Sequence, residues 1–449
     1  MPDHNAPAPA AETPPPRIKA EENIWYRLAT VTDDHEENKR LWNGYMGWLL
    51  SSEQKAKIKY YNGEPVVFPK LSGQDKERIR ARLGNTDWPD PTGQIEVAEN
   101  HDIKSISRVD FSNTNLPGRV NFSGFIFPDR STFKNTIFNS ALGFFNRANF
   151  KDAIFSSDVK FINAAFEGPA EFLLATFNGP VDFFNVTFVE NALFTSAIFI
   201  DRTYFNNARF SDKTNFDVRS DFYGNELKDG EHSALDFSNA KFGGETDFRG
   251  RYFINPPRFF EAELHEHTYF DDDIKLWPAV PKTKREAETH IKAYQRLARL
   301  MNLQEKHEDW HFFNRLEMRA RRVKEGHWSL YSLGNRSYQL FAGYSYGLIN
   351  TIAFWVGHIV IGLLFLLLPH LITMRDQFSV GFFGKSLGAA FTKSFINAHP
   401  FLLDLKAEGW ADRALCTQCG GEAVEFFQTG FGPIFLFFLF LTLRNRFRF

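Results

Sequence analysis

The chain has 449 residues, a net charge of -2 and 24% charged residues. Its overall charge therefore lacks the basic excess that is typical of a nucleic-acid-binding protein. It has two cysteines, Cys416 and Cys419, which excludes a scaffold built from disulfides. Phenylalanine is the unusual component, with 51 residues against 13 Tyr and 9 Trp. Rings at this density must be buried somewhere, so an aromatic core is expected.

A tail and a leader precede the repeat. Residues 1–20 are rich in Pro and Ala and have no apolar core, which predicts a disordered tail and not a signal peptide. Residues 21–108 carry apolar and aromatic side chains at near-helical spacing between Trp25 and Leu50. This leader is predicted to form two or three short helices that cap the open end of the next domain.

From residue 109 an eleven-residue repeat takes over, as in the segments AEFLLATFNGP and VDFFNVTFVEN. Phe recurs at alternating steps of five and six residues, and many of these Phe have a small residue two positions before them. This period fits neither a helix nor a strand. It predicts a backbone that bends after each step, with four bends closing a square coil of about 20–22 residues. The predicted core residues are Phe122, Phe127, Phe133, Phe138, Phe144, Phe150, Phe155, Phe161, Phe166, Phe172, Phe177, Phe183, Phe188, Phe194, Phe199, Phe205, Phe210 and Phe216.

This segment resembles the pentapeptide-repeat family in its eleven-residue, Phe-centred variant. The resemblance implies a mainly β fold over residues 109–270, a right-handed quadrilateral β-helix whose coils stack at strand spacing. Gly-Pro pairs at 168–169 and 179–180 predict corners, and the polar break at 223–236 predicts a loop. About six coils between residues 122 and 253 correspond to a rod of about 29 Å.

Residues 271–340 are predicted to form a cytosolic helix pair, because apolar side chains keep helical spacing through both halves. His265, His267 and residues 271–273 are metal-ligand types at the end of the repeat, but a solenoid end needs polar solvation anyway, so no metal site is predicted. No P-loop, GxSxG, HExxH or dinucleotide motif occurs. The chain is therefore predicted not to be an enzyme and to need no cofactor.

Residues 341–449 contain two apolar stretches. The stretch 348–368 has no formal charge and is long enough to cross a hydrocarbon core as a helix. Residues 426–443 form a shorter, Phe-rich stretch before a basic tail. Both are predicted to be transmembrane helices. Basic residues beside them place both termini in the cytosol and the stretch 373–425, with its semi-apolar segment 381–402, on the outer side.

The C-terminal arrangement, with its closing LRNRFR at 443–448, resembles a bacterial group of pentapeptide-repeat membrane proteins. The leader segments WYRLATV and WNGYM are similar to that group as well. The resemblance implies a multi-pass protein of the bacterial inner membrane, in contact with the lipid bilayer. It implies no activity.

Three pairs of polar residues in this region each have more than one possible role. Asn350 and His358 lie in the first predicted span, where a polar group either serves transport or contacts a neighbouring helix, and helix contact is favoured. Asn397 and His399 fall where the filter of a pore-loop channel would lie, although no TVGYG-like run is present. Cys416 and Cys419 form a single CxxC, for which a local disulfide is favoured over free thiols and over a metal site.

The favoured hypothesis for function is a non-enzymatic, membrane-anchored scaffold that presents a cytosolic rod to an unidentified protein partner. The alternative is a two-helix, pore-loop, channel-like subunit with the rod as a regulatory domain. Two spans cannot enclose a pathway alone, so that alternative requires a homo-oligomer. DNA mimicry is disfavoured because Lys and Arg are common in the repeat, and no nucleic-acid partner is predicted.

Overall fold

The computed structural model describes residues 16–50, 52–58, 65–84, 109–128, 130–139, 147–216, 235–326, 329–342, 348–373 and 380–397, with residues 433, 437, 439 and 440. The chain divides into two compact units, Met1–Ala320 and Arg321–Phe449. The first unit holds the leader, the repeat and the helices that follow it. The described part of the second unit is helical.

The repeat folds as a solenoid of short parallel strands arranged in four sheets, which the chain visits in turn. Most paired strands are separated by two eleven-residue repeats, as for Ala165 with Thr187 and for Thr187 with Arg209. Two steps are longer, one from Ile137 to Ala165 and the other from Thr203 to Leu235. The extra residues of both steps, including the predicted loop at 223–236 up to residue 234, lie outside the described residues. The β-solenoid predicted from the Phe repeat is confirmed in this form.

The strands are numbered in chain order, and the sheets in the order in which a coil meets them. Sheet 1 contains β1 Ile18–Lys19, β2 Thr114–Leu116, β6 Ile137–Phe138, β10 Ala165–Phe166, β14 Thr187–Phe188, β18 Arg209–Phe210 and β21 Lys241–Phe242. Sheet 2 contains β3 Val120–Asn121, β7 Ala148–Asn149, β11 Ala170–Glu171, β15 Ala192–Leu193, β19 Thr214–Asn215, β22 Thr246–Asp247 and β23 Thr268–Tyr269. Sheet 3 contains β4 Ile126–Phe127, β8 Ile154–Phe155, β12 Thr176–Phe177 and β16 Ile198–Phe199. Sheet 4 contains β5 Ser131–Thr132, β9 Val159–Lys160, β13 Val181–Asp182, β17 Thr203–Tyr204 and β20 Leu235–Asp236.

Strand β1 corrects the predicted limits of the tail. Ile18 pairs with Thr114 and Lys19 with Asn115, so the end of the predicted disordered tail 1–20 is an ordered edge strand of sheet 1. A strand this short is hard to recognise in a sequence, because two residues are too few to show alternation. Residues 1–15 lie outside the described residues.

Phenylalanine rings fill the solenoid interior. Rings in adjacent coils stack with their centroids 4.3–5.2 Å apart, as for Phe161 and Phe183 at 4.8 Å. Within a coil the rings meet edge-on, as for Phe172 and Phe183 at 5.7 Å and 82°. Stacked and edge-on contacts both suit the ring quadrupole, so each ring gains more than its buried area alone provides. Every predicted core Phe that is described is at most 3% exposed.

The stack skips one predicted core position. Phe150, and not Phe144, is the next ring below Phe122, with centroids 5.2 Å apart. The pairing of Asn121 with Asn149 explains this, because the chain between those two strands is longer than two repeats. Phe144 itself lies outside the described residues.

At two of the four corners a residue with left-handed backbone recurs from coil to coil. At the corner between sheets 4 and 1 this residue is Asn at six levels, with φ between 54° and 58°, a conformation that Asn tolerates better than most residues. Their amides form a ladder along the solenoid, in which Asn185 donates to Asn163 at 2.9 Å and Asn163 donates to Asn135 at 3.1 Å. The ladder therefore links successive coils outside the core.

The corner between sheets 2 and 3 places a leucine in the same backbone conformation. Leu174 has φ 59°, which costs a non-Gly residue about 1–2 kcal/mol. We expect Leu174→Asn to raise the free energy of unfolding by about 0.5–1 kcal/mol, measured by urea denaturation. Leu173→Asn is the matched control, because Leu173 is also half-buried but is absent from the left-handed positions. A stabilisation of equal size in both variants would show that backbone strain is not the cause.

The leader forms four helices between residues 24 and 83, more than the two or three predicted: α1 Ile24–Ala29, α2 His35–Leu49, α3 Ser52–Lys57 and α4 Gly73–Leu83. Helix α2 covers the first coil. The buried Trp42 ring packs on Phe125 and Phe127 at 5.2 and 5.6 Å, and its Nε1 donates to the Ile126 carbonyl at 2.8 Å. Asn43 exchanges two hydrogen bonds of 2.9 Å with Gly124 and Ile126, so side chains satisfy backbone groups at this end of the solenoid.

An ion pair joins α2 to α4. The Arg40 guanidinium donates to both Asp75 oxygens at 3.0 and 2.6 Å and holds the pKa of Asp75 well below its usual range. A carboxyl group with a lowered folded-state pKa stabilises the fold above its unfolded pKa, and this stabilisation is lost as the pH falls.

We therefore expect the leader to loosen as the pH is lowered from about 5 towards 3, measured by hydrogen exchange in α2 and α4. Asp75→Asn should weaken the leader by about 1–3 kcal/mol at neutral pH and remove most of this pH dependence. Asp34→Asn is a control outside the pair, since Asp34 caps α2 through a 2.9 Å bond from the Glu36 amide. An unchanged acid response in Asp75→Asn would contradict this assignment.

The other end of the solenoid is covered by a 3₁₀ turn Ile274–Leu276 and by α5 Lys284–Leu303 and α6 His307–Glu325. Phe313 packs edge-on against Phe270 at 5.6 Å and against Trp277 at 5.0 Å. Arg296 donates to two carbonyl groups of the last coil at 3.0 and 3.1 Å, and Gln304 donates to a third at 3.0 Å. As at the first end, aromatic rings cover the last coil and side chains satisfy its backbone groups.

The second unit contains α7 Leu330–Ala342, α8 Leu348–Thr373 and α9 Val380–Asn397. Three helices therefore follow the solenoid before α8, not the predicted pair. Helix α8 also continues beyond residue 368 through Pro369 to Thr373, because an apolar helix tolerates a proline that removes one backbone donor.

Candidate functional sites: the solenoid faces and the apolar helices

Both solenoid ends are sealed by the chain's own helices, so its side faces are the surfaces open to a partner. Sheet 3 is partly covered already. Its outward-pointing Ile126 and Ile154 are buried in a small cluster with Leu50, Ile58 and Val66 of the leader. The sequence did not predict this second role of the leader, because the dense Phe pattern hides the outward isoleucines.

The outer face of sheet 1 is uncharged in three consecutive coils, and charged outward residues follow in β18 and β21. Its outward residues in three consecutive coils are Ile137, Ala165 and Thr187. Two exposed apolar side chains flank this strip at its corners, Phe184 at 42% and Val189 at 47% exposure. We call these five residues the neutral strip. A partner can cover it without removing charges from water, which is typical of the centre of a protein interface.

Sheets 2 and 4 carry charges on their outer faces. On sheet 2, Arg119, Arg147, Asn121 and Asn149 line a shallow pocket of about 400 Å³, and Arg147 pairs with Glu171 at 2.7 Å. The outward residues of sheet 4 include Lys160, Asp182 and Asp236. Burial raises the pKa of Asp182 even though its carboxylate accepts from the Phe184 amide at 2.9 Å.

A buried arginine lies where sheet 3 ends. Arg251 is 6% exposed, donates to the Ala197 carbonyl at 2.8 Å and places its guanidinium 5.0 Å from the Phe199 ring. Burial lowers its pKa to about 10, so it is charged at neutral pH. Sequence analysis missed this residue. Its position in the repeat could have identified it, because Arg251 lies two residues before Phe253, where other repeats have a small residue.

The residues of metal-ligand type at the end of the repeat hydrogen-bond to nearby backbone amides. His265 accepts from the His267 amide at 3.1 Å, and Asp273 caps the following 3₁₀ turn through the Lys275 amide at 2.9 Å. Among the described residues no three His, Cys, Asp or Glu side chains converge. Cys416, Cys419 and His399 lie outside those residues.

Comparison with known proteins bears on the repeat alone. Residues 144–187 match the family model of pentapeptide repeats (9 copies). Comparison with curated proteins and with solved structures gives no match. The described part of the matched segment lies in the central coils, where strands pair at a regular step. The match therefore agrees with the repeat that the spacing of Phe predicts in this segment.

Helix α8 is inverted relative to a helix of a water-soluble domain. Eight apolar side chains are 41–81% exposed: Ile349, Ile352, Val356, Val360, Ile361, Leu364, Phe365 and Leu368. Its polar Thr351 and His358 are buried. Within the described part of the chain, α8 is the one helix long and apolar enough to cross a membrane. The second predicted span 426–443 lies outside that part except for residues 433, 437, 439 and 440, which are helical.

Helix α9 runs antiparallel to α8. Ala389 and Ala390 pack on Leu366 and Leu367, while Ser394 donates to the Ile359 carbonyl at 2.6 Å. Because Ile359 lies near the middle of α8, α9 ends about halfway along it. Small residues let the two backbones approach closely, and the serine satisfies its hydroxyl on the neighbouring helix.

The polar residues singled out in the sequence fall around this helix pair. His358 is buried next to Ile359, whose carbonyl accepts from Ser394. Asn350 lies in the first turn of α8 and Asn397 is the last residue of α9. The helix-contact and transport alternatives for His358 both stay predictions.

Proposed function

We propose that this protein is a non-enzymatic scaffold, anchored in a membrane, whose pentapeptide-repeat solenoid presents the neutral strip to a protein partner. The solenoid is the right-handed quadrilateral coil that the family resemblance implies. Two features support the scaffold role: both ends are sealed, and the neutral strip offers exposed apolar side chains without charge. No cofactor or nucleic acid takes part in this proposal.

One observation supports the anchor: α8 has an exposed apolar face, whereas its polar Thr351 and His358 are buried. Hydrocarbon stabilises such a surface, whereas water does not. In the proposed topology α8 and the predicted span 426–443 cross the bacterial inner membrane, and both termini and the solenoid lie in the cytosol.

Membrane fractionation tests the anchor. We expect the full-length protein to stay with membranes after alkaline carbonate washing. Val360→Glu with Leu364→Glu places two charges on the exposed face of α8, each costing about 3 kcal/mol in a bilayer, and should release the protein. Release of the unaltered protein by carbonate would overturn the anchor.

Photo-cross-linking in cells tests the partner surface. A photoreactive side chain at Phe184 or Val189 should give the same discrete adduct from both positions. Lys160, outward on sheet 4, is the matched control and should not give it. Adducts that are equal at all three positions, or none at any, would contradict the neutral strip as the partner surface.

One observation favours a second candidate function. Helix α9 turns back along α8 and ends near its middle, as a re-entrant pore helix does. The channel-like alternative requires an oligomer, because α8 and α9 of one chain enclose no pathway. A fourfold assembly in nanodiscs with ion flux through proteoliposomes would support it, and a monomer without flux would exclude it.

A further inference from the structure

Helix α7, like α8, exposes apolar side chains and buries polar ones. It is shorter than α8, and basic residues lie in it and just before it. Its exposed side chains include Leu330 at 89%, Leu333 at 41% and Leu340 at 57%. On a helical projection these three lie within one quadrant. Two of its polar side chains, Ser332 and Asn335, are buried instead.

The inward polar face of α7 is held by hydrogen bonds. Ser332 donates to the Gly326 carbonyl at 2.6 Å, and Gln339 accepts from the Arg322 guanidinium at 2.8 Å. The orientation of α7 is therefore fixed by polar contacts with the chain just before it. The leucine face of α7 therefore points away from the protein. Packing of apolar side chains within this unit does not explain why this face is apolar.

The surroundings of this face identify its occupant. Residues 321–342 carry four basic residues, Arg321, Arg322, Lys324 and Arg336, against one acid, Glu325. Helix α8, with its own exposed apolar face, begins shortly after α7 ends. A basic, amphipathic helix that is continuous with a membrane span suits the headgroup layer of an anionic leaflet.

We propose that α7 lies in the interface of an anionic phospholipid bilayer, with Leu330, Leu333 and Leu340 in the acyl boundary and the basic residues among the headgroups. This inference rests on the proposed anchoring by α8. It adds a lipid-binding surface that the hydropathy of the chain does not reveal, because 13 residues are too few to span. A protein bound to the same face is the competing occupant.

Spin-label depth measurements on the full-length protein in nanodiscs test it. The two native cysteines are replaced by serine, and labels are placed singly at Leu333→Cys, Leu340→Cys, Val360→Cys and, as a water-exposed reference, Lys160→Cys. We expect the Val360 label to be deepest. The Leu333 and Leu340 labels should show interfacial depth, with collision rates with a water-soluble nickel reagent about fivefold or more below those of the Lys160 label.

The outcomes separate the two claims. If the Val360 label is deep but the α7 labels collide with nickel as often as the Lys160 label, the α7 inference is overturned and the anchor stands. If the Val360 label is also water-exposed, both fail.

The anionic requirement is tested with nanodiscs of phosphatidylcholine with and without phosphatidylglycerol. Lys324→Glu with Arg336→Glu should abolish the greater depth expected in the anionic discs, and equal depth in both lipids would refute the charge contribution.

Discussion

Phe183→Ala should destabilise the solenoid by about 3–5 kcal/mol, the largest loss expected for a single ring. Phe183 is fully buried, stacks on Phe161 and Phe205 at 4.8 and 4.7 Å, and meets Phe172 and Phe194 edge-on. The cavity cannot collapse, because the strands on both sides are fixed by the register of their ladders. Since each coil contacts only its neighbours, the damage should be centred on adjacent coils.

Hydrogen exchange on the full-length protein measures this effect. Amides of residues 159–205 should exchange about a hundredfold faster or more, which corresponds to about 3 kcal/mol. Phe184→Ala is a control at the next residue, since that side chain is exposed at the corner, and should change the free energy of unfolding by less than about 0.5 kcal/mol. Similar losses in both variants would mean that the stacked core is misassigned.

Trp42→Ala should detach the leader from the first coil, with a loss of about 3–5 kcal/mol in that region. The variant removes the ring that packs on Phe125 and Phe127, and the hydrogen bond to the Ile126 carbonyl. The uncovered end then offers unpaired backbone groups and stacked rings, which favours end-to-end association.

Light scattering and hydrogen exchange report the two consequences separately. We expect Trp42→Ala to form larger assemblies at increasing concentration and to exchange faster in α2 and in residues 109–128. Trp48→Ala is the control on the same helix, because Trp48 is 43% exposed, and should remain unassociated. Loss of α2 protection in both variants alike would show that Trp42 has no special role in covering the end.

The regular part of the fold could be predicted because one residue type repeats in one phase. The spacing of Phe fixes the coil length, and the buried rings of Phe161, Phe183 and Phe205 follow that spacing from coil to coil. Irregular steps are harder to place. An insertion shifts the phase, so Phe144 resembles Phe150 in the sequence although Phe150 is the ring that stacks on Phe122.

Other features depend on contacts that sequence spacing does not encode. Arg251 reaches the distant Ala197, and the leader residues Leu50 and Ile58 reach Ile154 on the side of sheet 3. The sequence predicted a helix pair over residues 271–340 and did not separate α7 from it. The leucines of α7 are exposed, whereas sequence interpretation expects the apolar face of a helix to be buried.

The solenoid end contacts bear on the proposed function. A pentapeptide-repeat stack with free ends could lengthen by adding coils from another chain, but Trp42 at one end and Arg296 at the other satisfy the backbone groups that such growth would use. The neutral strip is then the apolar surface that the solenoid leaves open on a side face. This division between sealed ends and an open side face supports the proposed scaffold role.

Each regular coil of the solenoid holds two eleven-residue repeats and passes through four separate sheets. Disulfide cross-linking tests it directly in a full-length protein whose native cysteines are replaced by serine. Thr187→Cys with Arg209→Cys joins outward positions paired in sheet 1, which lie about 4.8 Å apart and within reach of a disulfide. Thr187→Cys with Ile198→Cys joins sheets 1 and 3 and should not cross-link. We expect mass spectrometry of linked peptides to show oxidation of the first pair alone. Efficient oxidation of the second pair, or of neither, would rule out this coil.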